Sequence, residues 1–330
     1  MAPAETVCVT GASGFIASWI VKILLEKGYN VKGTVRNLES ENAKFLRELP
    51  GASERLELFA VDVMKPGLLD SIFEGCDGIF HTANPTPSLT GGKVADPEAI
   101  FVETALKGTL NVLESCVKAR PKRIVLTSSI VSCLLTPKNV PGAVIDETFV
   151  TDPDFVRKVI PSGDFASYAI GKTLAEKVAW DFVKKHNLSM VVMNPAYVIG
   201  PTVLPTVNTT NEVPLEFLNG NTKTIKNESG CWVGVKDVAM AHILGYEKPE
   251  AEGRYILCEK VMHLGDFASL LQKLFPQYNV VAREDPNAQP RATPFLINNE
   301  KVKELGVNLQ PLEDVLRELV ESLKELKYLN

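Results

Sequence analysis

The chain has no Cys-x-x-Cys pair and no His, Cys or carboxylate group at metal-ligand spacing, which argues against a zinc site or a disulfide framework. Its six cysteines, at 8, 76, 116, 133, 231 and 258, are scattered. They are expected to be mostly buried small hydrophobes in a reducing compartment. There is no basic run, and the net charge is −5. That argues against nucleic acid or an anionic membrane as the main partner. No stretch approaches the roughly 20 apolar residues of a membrane span. The first five residues, Met-Ala-Pro-Ala-Glu, carry no positive segment, and the apolar run after them is too short for a signal peptide, so a cytoplasmic location is expected. Internal repeats and low-complexity tracts are absent.

What remains is an ordinary globular composition. The 330 residues are 45% hydrophobic, enough to bury a full core in one large or two coupled domains. Short β-rich runs at 6–10, 30–35, 56–63, 78–83, 123–128 and 189–194 alternate with helical patterns at 14–27, 68–73, 97–119 and 168–186. This rhythm predicts a doubly wound parallel sheet with helices on both faces. Residues 200–230, rich in Pro, Thr, Asn and Gly, read as irregular structure over a cleft. A helix at 235–246, a strand at 254–258 and an amphipathic helix at 312–326 are expected beyond it. The division that follows is a dinucleotide-binding domain over 1–200, with 233–262 returning to it, and a smaller interleaved α/β substrate domain from 201–232 and 263–330.

Two constellations carry chemistry. The first is Gly11-Ala12-Ser13-Gly14-Phe15-Ile16-Ala17, between an apolar run and a helical pattern. A strand that turns on glycines into a helix brings backbone N–H groups and the positive end of a helix dipole against a pyrophosphate, although a tight turn needs a glycine for steric reasons alone. The second is Ser128-Ser129 followed by Tyr168-x-x-x-Lys172. A spacing of four puts Tyr168 and Lys172 on one helix face. There an ammonium stabilises the phenolate and lowers a pKa ordinarily near 10, making the phenol a proton donor. Ser129, at a strand's carboxyl end, is placed to bond a substrate carbonyl oxygen. Read singly, these are a surface pair and a strand-end cap; read together, they describe a carbonyl-reducing site.

Six segments in order resemble the extended short-chain dehydrogenase/reductases: Val-Thr-Gly-Ala-Ser-Gly-Phe-Ile-Ala-Ser-Trp at 9–19, Thr-Val-Arg-Asn at 34–37, His-Thr-Ala at 81–83, Thr-Ser-Ser at 127–129, Tyr-Ala-Ile-Gly-Lys at 168–172 and Asn-Pro-Ala-Tyr-Val-Ile-Gly-Pro at 194–201. The chain looks most like the plant group of dihydroflavonol reductase, cinnamoyl-CoA reductase and related aldehyde or ketone reductases. The resemblance implies a Rossmann-type fold and hydride transfer from a reduced nicotinamide, with Ser129, rather than Ser128, and Tyr168 on the carbonyl oxygen. Lys172 would hold the ribose and tune Tyr168. Cofactor contacts are implied for Gly11, Ser13, Gly14, Phe15 and Ile16, for Thr82 and Ala83 after the fourth strand, for Asp62 and Val63 at the adenine, and for Pro195 and Val198 near the nicotinamide. In this fold an arginine at the end of the second strand accommodates the NADP 2′-phosphate, where an acid would select NAD. Arg36 stands there and no carboxylate follows it until Glu39, so NADP(H) is expected. Lys44 either adds a second cation or is simply solvated. Thr104 and Lys107 lie where relatives place a proton-relay residue, and neither is assigned.

The pattern departs from its relatives in two places. Cinnamoyl-CoA reductases carry Asn-Trp-Tyr-Cys-Tyr-Gly-Lys at the catalytic pair, where this chain has Asp164-Phe165-Ala166-Ser167-Tyr168-Ala169-Ile170-Gly171-Lys172. Counting along the strand from Ser129, the asparagine that reads ring hydroxyls in dihydroflavonol reductases falls at Leu134. The expectation is therefore an NADPH-dependent reductase of an apolar, aromatic aldehyde or ketone, with Leu134, Phe165 and Tyr197 at the substrate. The alternatives are a cinnamoyl-CoA or dihydroflavonol-type reductase with an altered pocket, and a non-catalytic NADP-binding regulator. Phe217 and Trp232 are further candidates for an aromatic wall. His81, His186, His242 and His263 need no catalytic role, and His186 and His263 are expected at the surface. The partner is a small carbonyl compound; oligomeric state is left open.

Overall fold

The computed structural model describes residues 4–330 except 90–91, 282, 285–288 and 292. Met1 to Pro3, part of the segment read for targeting, lie outside the described residues. The first half runs β1 (Thr6–Thr10), α1 (Phe15–Glu26), β2 (Asn30–Val35), α2 (Glu41–Arg47), α3 (Ala52–Arg55), β3 (Leu56–Ala60), α4 (Asp70–Phe73), β4 (Gly78–His81), a π-helical stretch (Glu98–Glu103), α5 (Thr104–Ala119), β5 (Arg123–Thr127), α6 (Val131–Leu134), β6 (Val144–Ile145), α7 (Pro153–Val159) and α8 (Asp164–His186). The second half runs β7 (Met190–Pro195), β8 (Tyr197–Ile199), α9 (Thr209–Leu218), β9 (Thr224–Ile225), β10 (Ser229–Gly234), α10 (Val235–Glu247), β11 (Gly253–Leu257), β12 (Lys260–His263), α11 (Leu264–Leu274), β13 (Arg283–Glu284), β14 (Leu296–Ile297), α12 (Glu300–Glu304) and α13 (Leu312–Glu325).

Seven parallel strands form the central sheet in the order β3-β2-β1-β4-β5-β7-β11. This is the expected Rossmann-type architecture. Both faces are covered, so the inner strands β1, β4, β5 and β7 are buried on both sides and their residues alternate between two cores. Val7 and Val9 pack with α1 and α10, whereas Cys8 packs under α4, α5 and α8; Val191 and Met193 divide from Met190 and Val192 in the same way. All six cysteines are buried and free, serving as small hydrophobes. A smaller sheet, β12-β10-β8, packs with α9, α11 and α13 around a third core. No helix of the described residues is long and apolar enough to cross a membrane.

Several local expectations are corrected. Residues 200–230 contain the ten-residue helix α9 with Pro214 inside it. Proline removes one helical hydrogen bond, but Leu215, Phe217 and Leu218 bury themselves against the third core, and that packing outweighs local propensity. The long segment before β5 begins as a π-helix, not an α-helix, and α8 starts at Asp164, four residues before Tyr168. After Ser129 the chain turns into the single helical turn α6 instead of continuing as a strand, so the count that put Leu134 on a strand does not hold. Leu134 ends α6, half-buried against the main core. Phe217 and Trp232 are core residues: Trp232 is fully buried and stacks on Phe267 with ring centroids 4.3 Å apart. His263 is buried too, capping α11 by accepting from the Gly265 amide.

Candidate active site

Strand order reverses between β1 and β4, and the crevice at such a switch point is where open α/β sheets bind ligands. Gly11 turns the chain out of β1 with φ of +66°, and a Cβ there would stand 3.0 Å from the Ala83 Cα. Glycine therefore lets the first loop lie against the segment leaving β4. Thr10 ties the two loops together: its hydroxyl accepts from the Thr82 and Ala83 amides, and its carbonyl accepts from the Thr82 hydroxyl. Helix α1 follows with Gly14 as N-cap, no side-chain cap and no acid in its first turn. Its first N–H groups and its dipole are thus free to meet an anion. Ser13, Phe15 and Ile16 surround this terminus, the last two resting on the main core.

Arg36, just past β2, is exposed and has no hydrogen bond or ion pair among the described residues. Lys44 is likewise exposed, in the last turn of α2. Asp62 caps its own turn by accepting from the Met64 amide, and the Val63 carbonyl accepts from Asn111 on α5. Val198 is buried in the main core and Pro195 ends β7. Asn42 on α2 bridges the Ser13 carbonyl, at 3.3 Å, and the Thr206 hydroxyl, at 3.2 Å.

The proton chemistry gathers on α8. Gly171 allows that helix to touch the π-helical stretch, since a Cβ there would lie 2.2 Å from the Phe101 carbonyl oxygen. The same approach sets the Phe101 ring edge-on to Tyr168, with centroids 6.3 Å apart. Lys172 is buried and donates to the Thr127 carbonyl at 2.7 Å. Burial pushes its ammonium down to about 8, and Glu176 opposes that shift. Burial raises the Tyr168 phenol above its ordinary value, while a hydrogen bond with Ser129 pulls the other way. This corrects the expected lowering by Lys172: the ammonium is engaged at Thr127, and the phenol stays protonated. Ser129 sits at the start of the α6 turn, its carbonyl accepting from the Ser132 amide and hydroxyl, and the next amide, of Ile130, donates to the Pro195 carbonyl at 2.9 Å.

Beneath Lys172 lies a small polar hollow bounded by His81, Asn84, Thr109, Ser128 and Glu176. The His81 ring bonds the Thr10 hydroxyl at 2.9 Å and the Thr109 hydroxyl at 3.4 Å. His242 bonds the Thr127 hydroxyl at 2.7 Å and the Val238 carbonyl at 2.7 Å. Burial holds both rings neutral, with pKa values near 3 for His81 and near 4 for His242. Of the expected substrate residues, Phe165 is exposed in the first turn of α8. Tyr197 is half-buried with its ring 5.5 Å from Trp232, and its phenol is pushed up to about 12 by burial, then by Glu228, Cys231 and Tyr168. Thr104 bonds back to the Ala99 carbonyl and Lys107 pairs with Glu103 at the surface, so neither reaches the hollow as Thr109 does. Sequence reading missed Glu176, Asn194 and Arg254. The spacing Tyr168, Lys172, Glu176 on one helix face was the available signal.

Comparison with known proteins places this geometry. Residues 7–258 match the NAD dependent epimerase/dehydratase family. Cinnamoyl-CoA reductase CAD2 of Medicago truncatula is 45% identical over 329 residues, covering 99% of this chain and 98% of that protein. Vestitone reductase from alfalfa superposes with a TM-score of 0.82 at 32% identity, covering 98% of this chain and 99% of its own. The yeast methylglyoxal/isovaleraldehyde reductase Gre2, complexed with NADPH, superposes with a TM-score of 0.84 at 26% identity, covering 98% and 100%. This chain therefore belongs to the NAD-dependent epimerase/dehydratase family of extended short-chain dehydrogenase/reductases, in the group that resembles cinnamoyl-CoA and dihydroflavonol reductases.

Proposed function

We propose that the protein is an NADPH-dependent reductase that converts an aromatic, apolar aldehyde or ketone to its alcohol, with Tyr168 as proton donor. The observation that carries the reading is the convergence of Ser129, Tyr168 and Lys172 beside the switch-point crevice, with an uncapped helix N-terminus and an unpaired Arg36 along the same edge. Bound NADPH supplies the hydride. Gly11, Ser13, Gly14, Phe15 and Ile16 would hold its pyrophosphate, Arg36 its 2′-phosphate, and Asp62 and Val63 its adenine. Thr82, Ala83, Pro195 and Val198 would border the rest. The likeness to Gre2 bound to NADPH supports this choice. Ser129 donates to the substrate carbonyl oxygen, and Tyr168 releases its phenolic proton to that oxygen as the carbonyl carbon is reduced. A phenol held protonated by burial is a ready donor to an alkoxide, which is far more basic. Lys172, one turn along α8 and anchored on the Thr127 carbonyl, would hold the cofactor's ribose. The aromatic rings of Phe165 and Tyr197 suit an aromatic substrate.

A second reading, reduction of a cinnamoyl-CoA thioester, is favoured by 45% identity with a reductase of that name along nearly the whole chain. The departures at 164–172 favour the free carbonyl. Following NADPH absorbance against aromatic aldehydes, ketones, dihydroflavonols and CoA thioesters tests both, and a thioester with the highest kcat/KM decides for the second. On the best substrate, Tyr168→Phe should lower kcat by about 10² to 10⁴-fold with NADPH affinity retained. Unchanged turnover in a folded variant would refute the role of Tyr168.

A further inference from the structure

Two charges are buried behind the catalytic residues without a part in the reaction as described. Glu176 lies on α8 four residues beyond Lys172, with its side chain 6% exposed, and pairs with Arg254 of β11, 12% exposed, at 2.5 Å. Its second oxygen accepts from the Ser128 hydroxyl at 2.6 Å, the Ser132 hydroxyl at 2.9 Å and the Asn194 amide at 2.9 Å. One carboxylate thus joins α8 to the end of β5, to α6, to β7 and to β11.

These partners are the neighbours of the reacting groups. Ser128 and Ser132 flank Ser129; Asn194 precedes Pro195 and also donates to the Ser129 carbonyl at 3.2 Å. Arg254 reaches around the same turn, donating to the Ser132 carbonyl and the Cys133 sulfur, and to the Glu147 and Phe149 carbonyls of the loop beyond. We propose that Glu176, charge-balanced by Arg254, is a positioning residue: it fixes the turn that presents Ser129 and keeps a negative charge one helical turn from Lys172.

Burying an ion pair is not in itself stabilising, because desolvation offsets the attraction. An apolar side chain would fill the space but could not accept three hydrogen bonds at once. The arrangement makes sense where orientation matters, since displacing a reacting group by about 1 Å costs on the order of 10²-fold in rate. The charged and titratable groups around Lys172 are Tyr168 and Glu176 on its own helix, His81 from β4 and His242 from α10, with Arg254 behind Glu176. Both rings are neutral, so Glu176 is the group that favours the Lys172 ammonium.

The inference rests on the catalytic reading of Ser129, Tyr168 and Lys172, and one assay separates the two. The full chain is assayed with NADPH and its best carbonyl substrate. Glu176→Gln keeps the shape and removes the charge; kcat should fall about 10²-fold with KM and NADPH affinity little changed. The alkaline limb of the pH–kcat profile should move to lower pH, because Lys172 then loses its proton more easily. Glu176→Asp, which keeps the charge, should return the limb and part of kcat. In Glu176→Gln/Arg254→Gln the orphaned guanidinium is gone and the melting temperature recovers, yet kcat should stay low and the limb displaced. A double variant with wild-type turnover and profile overturns the proposal, as does a folded Glu176→Gln enzyme that keeps both. Tyr168→Phe runs alongside: if it keeps wild-type turnover the catalytic reading fails and takes the inference with it. If it loses turnover while Glu176→Gln does not, the positioning role alone fails.

Discussion

Replacing Gly171 by alanine sets two effects of opposite sign against each other. In an open helix the change should stabilise by about 1 kcal/mol, because glycine is a poor helix former. Here the new methyl carbon would lie 2.2 Å from the Phe101 carbonyl oxygen and 3.1 Å from the Val102 Cα. Both are backbone atoms, so no side chain can swing aside. Overpacking a tight contact costs typically 1–3 kcal/mol, and contact with backbone puts this case at about 3. The net destabilisation is then about 2 kcal/mol. At about 2.1 cal/mol/K per residue, unfolding 330 residues carries roughly 0.7 kcal/mol/K, so Tm should fall by about 3 °C. Helix α8 can relieve the clash only by moving away from Phe101, carrying Tyr168 and Lys172 with it, so kcat should fall by up to about 10²-fold while NADPH affinity changes less. Scanning calorimetry and steady-state kinetics on the one variant check both numbers. An alanine enzyme with higher Tm and wild-type kcat would refute the close approach and the positioning built on it.

Two further expectations follow from other parts of the site. Arg36→Ala should weaken NADPH about 10- to 100-fold, since a charge-assisted hydrogen bond contributes roughly 1.5–3 kcal/mol, and should leave NADH almost unchanged; equal binding of both cofactors by the wild type in a fluorescence titration would remove Arg36 from the site. The buried rings of His81 and His242 titrate near 3 and 4 when folded, against 6.5 ordinarily. The unfolded chain therefore binds more protons below pH 6.5, and the stability present above that pH is lost as pH falls. At pH 5 the loss is about 2 kcal/mol per ring, roughly 4 together, and a Tm that stays flat between pH 7 and 5 would contradict it.

The sheet was readable because its strands are short β-rich runs separated by helical patterns, so β1 and β2 stand where the alternation predicts. The glycine loop, Ser129, Tyr168 and Lys172 were readable because their spacing is short-range and chemically specific. Glu176 was not, because an acid on a helix reads as a solvated face until partners from four other elements surround it. Helix α9 was hidden by Pro214 and its Thr and Asn neighbours, and His263 by an exposed-looking context that the cap on α11 reverses. For Glu176 and α9 a contact distant in sequence decided what local composition could not; for His263 it was the start of the next helix.

The ion pair under the active site also has a temporal side. Arg254 arrives 122 residues after Ser132 and on the last strand to join the large sheet. A ribosome adds residues from the amino terminus, and domains form as their sequence emerges. Until β11 docks, Glu176 keeps its hydroxyl and amide donors and the Lys172 ammonium one turn away, but lacks the guanidinium that pairs with its other oxygen, and a buried oxygen left so opposes closure of the core. The first three quarters of the chain, which precede β11, should therefore stay hydrated around that oxygen until the strand docks. A chain truncated before β11 should accordingly lack the closed turn around Ser129, which faster hydrogen exchange on α6 and α8 than in the full chain would show.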